Sequence, residues 1–591
     1  MVDPRIYRAG LALVAIGVIV FGFSLQAQPG PDTTAVAPPA YTAPSLKTLV
    51  AQRRRPRFVS WVEGQLDSAV TANGPSGFIV TNTDVSAQTA LGAREVPIVT
   101  AARAGVAGGA IVVVSDRDAP GEAGVASTAI LIALAHAFAL ETQSHPIELV
   151  SIGAPVGAAG AAALARSLAA SSQPVDAVIV LGDVAALHPS EPVVVPFSDS
   201  QALAPPVLRA TVDHYVTATT GLGGGGENFG AQLAHLAFPL AMTDQGPFAA
   251  REIPAVLVSL SGDRLPAPGE AVYDLRLGQV FAAVVQSLDA LDAAPPVPPP
   301  SSYLVLSGKL VPVWALRLLV LVLIVPVGMT TVDALARVRR RGHSVARWLV
   351  WTLAGAVPFL LAGAVIVLAR LAGLIPAAPP ELTGPHAVPF TARAGVAIGL
   401  AATAWVVAYA ALRPLCLRLA LEHLGSERRP STPAGDAAGV ALSIVMCLTA
   451  LAAWVLNPFA AVLLVPALHL WMWLAQTEVR ARRWLVALLL LLGALPVLAV
   501  IVYFAHSFGL TSPPALAWSA VLLLAGGGVP ASAFLYWSVA LGCFLGATII
   551  GVRASRGAAA LTRVEPAVTV RGPVGYAGPG SLGGTKSALR R

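Results

Sequence analysis

The hydrophobic positions of this chain follow two regimes. From residue 30 to 300 short apolar runs alternate with polar ones, as in a globular domain, whereas 311 to 552 consists mostly of uncharged runs near 20 residues, the length that crosses a bilayer. In the first regime the pattern predicts strands at FIVTN from Phe78, PIVTA from Pro97, IVVVS from Ile111, IELVSI from Ile147, AVIVLGD from Ala177 and AVLVSL from Ala255. Between them it predicts a helix after Gly124 running to Phe138 and a small-residue helix over Ala158 to Leu168. Strands alternating with helices predict an α/β domain, a mixed sheet covered by helices on both faces. In such a domain, loops at the carboxyl ends of the strands bind ligands, so the acidic Pro/Gly loop after Ile111 to Val114 is the first place to look.

The second regime predicts an all-α polytopic bundle, with spans near 311–331, 348–374, 394–412, 437–456, 458–475, 484–506 and 514–552. The last is broken by GGGVP at 526–530, which predicts a kink or a re-entrant half-helix. An earlier apolar segment, Ala9 to about Leu25 behind Arg5 and Arg8, reads as a retained signal anchor in preference to a cleaved signal peptide, because Leu25 spoils the small-residue cleavage pattern. The resulting organisation is an anchor over 1–27, a linker over 28–46, an exported domain over 47–294, a Pro-rich linker over 295–310, a seven-span bundle over 311–552 and a basic tail over 553–591.

Charge changes the picture in one respect. The formal net charge is +7, yet Ala9 to Leu310 carries 14 Lys and Arg against 23 Asp and Glu, while the tail from Arg553 carries 7 against 1. An acidic domain with basic membrane-flanking loops is the positive-inside pattern and excludes a nucleic-acid footprint. The basic loops share one side with Arg5 and Arg8 if seven spans follow the domain, which predicts an integral membrane protein with an extracytoplasmic domain and a cytoplasmic tail. In a bacterium the membrane would be the plasma membrane. Cys416, Cys447 and Cys543 all lie in the apolar half, so the domain has no disulfide. The run Gly221 to Gly226 has no Lys-Ser/Thr after it and reads as a surface loop, and the cluster Arg53 to Arg57 as a solvated run.

Three segments carry a resemblance. The first is Asp116-Arg117-Asp118, Pro120-Gly121, Gly124 and Ala126-Ser127; the second is Gly153-Ala154-Pro155 with Gly157 and Gly160; the third is Thr243-Asp244-Gln245-Gly246-Pro247-Phe248 before Glu252-Ile253-Pro254-Ala255. Together, over about Phe78 to Leu291, they resemble the M28 family of zinc aminopeptidases. The layout of one span, a domain and a bundle is similar to the family's membrane-bound branch, which includes the endoplasmic-reticulum metallopeptidase and the GPI-anchor attachment subunit of the GPI transamidase. The resemblance implies an M28-like fold and places Asp116 where the family has its first His ligand. It places Gly124 at the metal-bridging Asp and Ala154-Pro155 at the Glu pair that includes the general base. The last ligand, a His, would fall in SGDRLPAPGE, which has none, while Asp183 stands near a carboxylate ligand. A two-zinc peptidase needs those ligands and that base.

The expected function is therefore a non-catalytic membrane protein. Its domain binds a peptide, lipid-linked or protein partner through the loop residues Gly121, Gly124, Ser127 and Asp244, and the lipid bilayer is its other partner. No cofactor is expected on this reading. Asp116, Asp118, Glu122 and Asp183 are vestigial metal candidates, read as loop residues or as oxygen ligands of a single cation such as calcium. The alternatives are an active zinc aminopeptidase and a transporter-like bundle with the domain as accessory. For the last, Arg317, Arg370, His469 and His506 are the ionisable groups near membrane depth, with snorkelling the competing account of both arginines. His136 and His188 have no partner at metal spacing.

Overall fold

A computed structural model describes residues 4–34, 46–53, 58–71, 77–89, 92–139, 143–153, 157–223, 228–266, 272–341, 344–383, 387–423, 436–474 and 482–561. Ala154, Pro155, Arg54 to Arg57, the end of the 261–270 segment and the tail beyond 561 lie outside the described residues.

A short strand β1 (Gln26–Ala27) follows the first helix, Pro4–Phe23. The α/β domain then contributes β2 (Ile79–Thr89), β3 (Gly92–Arg103), β4 (Ala110–Asp116), β5 (Ile147–Ile152), β6 (Val175–Leu181), β7 (Val194–Val195) and β8 (Ala255–Val258). Their order across the sheet is β2-β3-β5-β4-β6-β8-β7. The four central strands β5, β4, β6 and β8 are parallel, and β2, β3 and β7 join antiparallel at the edges. Every residue of β4 and β8 is buried. That is why their sequences are unbroken apolar runs: a parallel strand covered on both faces has no side that needs polar residues. The hairpin β2–β3 is longer than its apolar core predicts, because β2 is an edge strand whose outward residues are polar and exposed.

The helices Ala123–Phe138, Pro206–Thr220 and Asp274–Ala293 build a core on one face with Ile111, Val113, Ile179 and Val256. On the other face Val112, Val114 and Val180 pack under the helix Ala159–Ala170. That second core does not end at the domain boundary. It continues through Phe197 and Leu236 into Phe459, Phe504 and Phe508 of the apolar half. The α/β domain is thus packed onto the helical region and not merely tethered to it.

A three-stranded antiparallel sheet joins the chain where it leaves the first helix to the chain where it returns to the helical half, with β1 against β10 (Lys309–Pro312) and β10 against β9 (Tyr303–Leu306). Part of the segment read as Pro-rich linker is therefore ordered hairpin. From there the helix Val313–Arg340 runs antiparallel to Pro4–Phe23, with Gly10 against Pro326 and Gly17 against Val322. A Cβ on Gly10 would lie 2.6 Å from the Pro326 Cα, so only glycine admits this approach.

Among the described residues seven helices are long and apolar enough to cross a membrane: Pro4–Phe23, Val313–Arg340, Ala346–Leu371, Ala392–Leu419, Ala437–Leu456, Arg483–Ser507 and Ala531–Ser555. Pro458–Leu474, expected as a further span, is shorter at 17 residues. The expected break near GGGVP is found: Pro513–Gly526 ends at Gly527 (φ 82°), and a new helix begins at Ala531. The connection at Asn457 meets the α/β domain, whereas Arg5, Arg8 and Arg337 to Arg341 lie at the far end of their helices from it.

Candidate functional site

The carboxyl ends of the central strands carry the candidate residues. β4 ends in Asp116, 8% exposed, whose Oδ1 accepts the Asp118 N–H at 2.9 Å and turns the chain. Between these two acids Arg117 points inward and is 1% exposed. Its guanidinium donates to the Ser151 carbonyl at 2.7 Å and to the Pro97 carbonyl, tying the ends of β4 and β5 to the middle of β3. Burial lowers the Arg117 pKa, opposed by the charges of Asp118 and then Asp116. Gly153 makes the space for it, since a Cβ there would meet an Arg117 terminal nitrogen at 2.5 Å and Asp118 Oδ2 at 2.9 Å.

The loop folds tightly over the start of the next helix. A Cβ on Gly124 would meet the carbonyl oxygens of Asp116 and Arg117, each at 2.9 Å. The Gly124 carbonyl accepts from Ser127 at 3.2 Å and Thr128 at 2.7 Å, and Ser127 also receives the Ser115 hydroxyl at 2.8 Å. Ser127 is therefore buried and spent on structure. Gly121 takes a positive φ of 68°, and its carbonyl, with that of Ala119, accepts the Arg53 guanidinium. Arg53, read from the sequence as a solvated charge, is thus the clasp of this loop.

Asp116 and Asp244 are close enough to interact. The Asp116 carboxyl is raised well above the usual range by burial, with Asp244 and Asp118 adding to it. Burial raises Asp244 to about 7. Asp183, 2% exposed, is taken up by the Ser261 hydroxyl at 2.6 Å and the Ala185 N–H at 3.2 Å, while Asp118 and Glu122 are exposed. Among the described residues no three His, Cys, Asp or Glu side chains are placed to hold one metal ion.

A second polar group sits at the same sheet edge, where the domain meets the helices, and sequence reasoning missed it. His235, 1% exposed, lies 3.8 Å from the Phe197 ring in parallel stacking. Its Nδ1 is 3.0 Å from the Leu240 carbonyl, so that nitrogen is the donor; Nε2 faces the Tyr503 hydroxyl at 3.2 Å and Asp263 Oδ2 at 3.4 Å. Burial lowers His235 to about 3 and raises Asp263 to about 7, so near neutral pH the imidazole is uncharged. Thr243 donates to Asp263 Oδ1 at 3.0 Å. Beside them Asp199 accepts the Ala241 N–H at 3.1 Å, and burial, with Glu381 of the helical half nearby, raises it to about 8.

Asn457 completes this junction. Its Oδ1 accepts from the Phe459 and Ala460 N–H groups at 3.0 and 3.1 Å, and its Nδ2 donates to the Leu236 and Ala237 carbonyls at 3.0 and 3.1 Å. One side chain thus caps a helix and binds the domain. An Asn-Pro pair opening an apolar run was a legible capping signal; its second contact was not.

The ionisable groups of the helical half have separate placements. His469 receives the Tyr7 hydroxyl at 2.8 Å through Nδ1 and meets the Leu323 carbonyl at 2.9 Å through Nε2, pinning the first helix. His506 is exposed at the other end of the helices, beside the turn that follows Tyr503. The two histidines do not line a common path. Arg370 donates to the Ala525 carbonyl at 2.7 Å and so caps the end of Pro513–Gly526, and Arg317 is exposed.

No family model matches the chain, and no curated relative matches it. Solved structures similar to part of it include an Acidobacteriales bacterium glutaminyl cyclase, at 14% identity and a TM-score of 0.32 over 44% of this chain and 99% of that one. A leucine aminopeptidase precursor from Bacteroides thetaiotaomicron aligns at 13% identity and a TM-score of 0.34 over 43% of this chain and 99% of that one. The LapA aminopeptidase of Legionella pneumophila aligns at 13% and 0.32, over 42% of this chain and 70% of that one.

Proposed function

We propose that this chain is a membrane protein whose M28-like domain is a binding module docked on its own helices, with the peptidase chemistry of the family given up. Arg117 carries the proposal. A buried guanidinium beside Asp116 and Asp118 brings a fixed positive charge to the acids that a divalent cation would otherwise attract. Gly124 adds to it: the loop leaves no room there for the bridging carboxylate that the resemblance calls for. The exposed Asp118 and Glu122, the half-buried Asp244 and the Pro120-Gly121 loop then form an acidic rim suited to a peptide, lipid-linked or protein ligand. The domain side is extracytoplasmic on this reading, because Arg5, Arg8 and Arg337 to Arg341 gather at the opposite end.

The test is turnover. Full-length protein in detergent, given aminoacyl-peptide substrates and excess zinc, is expected to release no amino acid above the rate of a chelator-treated control. Chelator-sensitive release that disappears in Asp116→Ala and Asp183→Ala would establish the active aminopeptidase instead.

A further inference from the structure

At the end of the helices remote from the α/β domain, Ala392–Leu419 changes its winding. Residues Ala408–Leu412 form a π turn, which inserts extra backbone and re-aims the side chains that follow. Arg413 comes directly after it. At about 1.5 Å per residue it lies roughly 31 Å from the start of that helix. A hydrocarbon core is about 30 Å thick, so this depth is the headgroup layer.

The Arg413 guanidinium is held between two rings. Its central carbon is 5.1 Å from the Trp351 centroid and 5.6 Å from that of Tyr409. Both rings are braced: Trp351 packs edge-on against Trp348 at 5.9 Å, and Tyr409 stacks on Trp405 at 5.5 Å and 1°. Arg347 lies 5.6 Å from the Trp348 ring on the same patch. The Nε atoms of both arginines are buried and have no hydrogen-bond partner among the described residues. Neither arginine forms an ion pair among the described residues, unlike Arg337, which is paired with Asp333 at 2.5 Å.

Ring faces attract a guanidinium but accept none of its N–H bonds, and a half-buried cation with unused donors calls for an anion. The planar fork matches a phosphate, and basic pockets between helices at the positively flanked side of a membrane are where anionic headgroups dock. We propose that Arg413, clamped by Trp351 and Tyr409, is the centre of a site for a phosphate-bearing anion at the membrane surface, with Arg347 at its rim. An anionic lipid headgroup is the favoured source, since the site opens at headgroup depth.

Native mass spectrometry of the full-length protein, titrated separately with phosphatidylglycerol, phosphatidylcholine and inorganic phosphate, tests this. Wild type is expected to retain phosphatidylglycerol about tenfold more tightly than phosphatidylcholine, and Arg413→Gln to lose about that factor. Arg413→Lys keeps the charge but not the fork and is expected to recover only part of it. Arg418→Gln, an exposed position on the same helix, retains wild-type binding. Should Arg413→Gln not fold, Arg347→Gln is expected to weaken phosphatidylglycerol several-fold. Arg413-dependent binding of phosphatidylglycerol supports the lipid source, and Arg413-dependent binding of inorganic phosphate alone supports the site with a free anion. Equal retention of both lipids, or unchanged anion binding in folded Arg413→Gln, would overturn it.

Discussion

Replacing Arg117 with Met lowers the stability of the α/β domain by about 3–5 kcal/mol, the cost of breaking a buried charge cluster by removing one partner. The side chain is 1% exposed and ties β4 to β5 and β3 through the Ser151 and Pro97 carbonyls, from which methionine removes this donor. It also takes from Asp116, beside Asp118 and Asp244, the cation that offsets their charge. The comparison variant is Asp118→Asn. That carboxylate is exposed and screened by water, so its loss costs only about 0–1 kcal/mol. Urea unfolding of both variants separates the cases. Equal, small shifts in midpoint would mean that Arg117 is a surface charge in practice and that the cluster is not what closes this sheet edge.

His235→Ala is the second large effect, at about 3–5 kcal/mol. The substitution removes a ring stacked on Phe197 and packed edge-on against Phe504 and Phe508, leaves the Leu240 carbonyl without the imidazole donor, and takes from the Tyr503 hydroxyl one of its side-chain partners, Ser507 remaining. Because these contacts join the domain to the helices, the damage is expected at the junction. Amide exchange should quicken in 229–242 and 500–508 before it does in β4 or β6. His235→Phe keeps the packing and loses only the polar contacts, for about 1–3 kcal/mol. Uniform exchange in His235→Ala, spread across the central sheet, would show that the ring supports the domain core and not the junction.

The central strands and the long helices were legible because each is a local pattern: unbroken Val and Ile for β4 and β6, uncharged runs near 20 residues for the apolar half. The resemblance to zinc peptidases likewise rested on short local segments, and the acidic Pro/Gly loop is where the carboxyl ends of the strands gather. What stayed hidden depends on distant partners. Arg117 stands between two aspartates in a polar loop and reads as solvated; its burial depends on Gly153 and on carbonyls 20 and 34 residues away. Arg53 looked like part of a basic surface run, and its two acceptors lie 66 and 68 residues on. His235 and Asn457 carry no periodic signal for the junction that they form across more than 200 residues. Within Ala346–Leu371 the regular helix ends at Leu353 and resumes at Val357, a break that was unreadable for the same reason. Gly355 lies against Gly542, where a Cβ would meet the Gly542 carbonyl oxygen at 2.9 Å.

Arg117, beside Asp116 and Asp118, and Ser261, bonded to Asp183, bear on the central proposal, that the chain's own guanidinium and hydroxyl groups take up the acids at which a metallopeptidase would build its centre. Metal content tests it most directly. Full-length protein purified after growth with added zinc, passed through a desalting column and analysed by inductively coupled plasma mass spectrometry, is predicted to carry zinc well below one ion per chain. Arg117→Met should not raise it, because Gly124 still leaves no place for a bridging carboxylate. Two zinc ions per chain in the wild type, lost together in Asp116→Ala, would contradict the account.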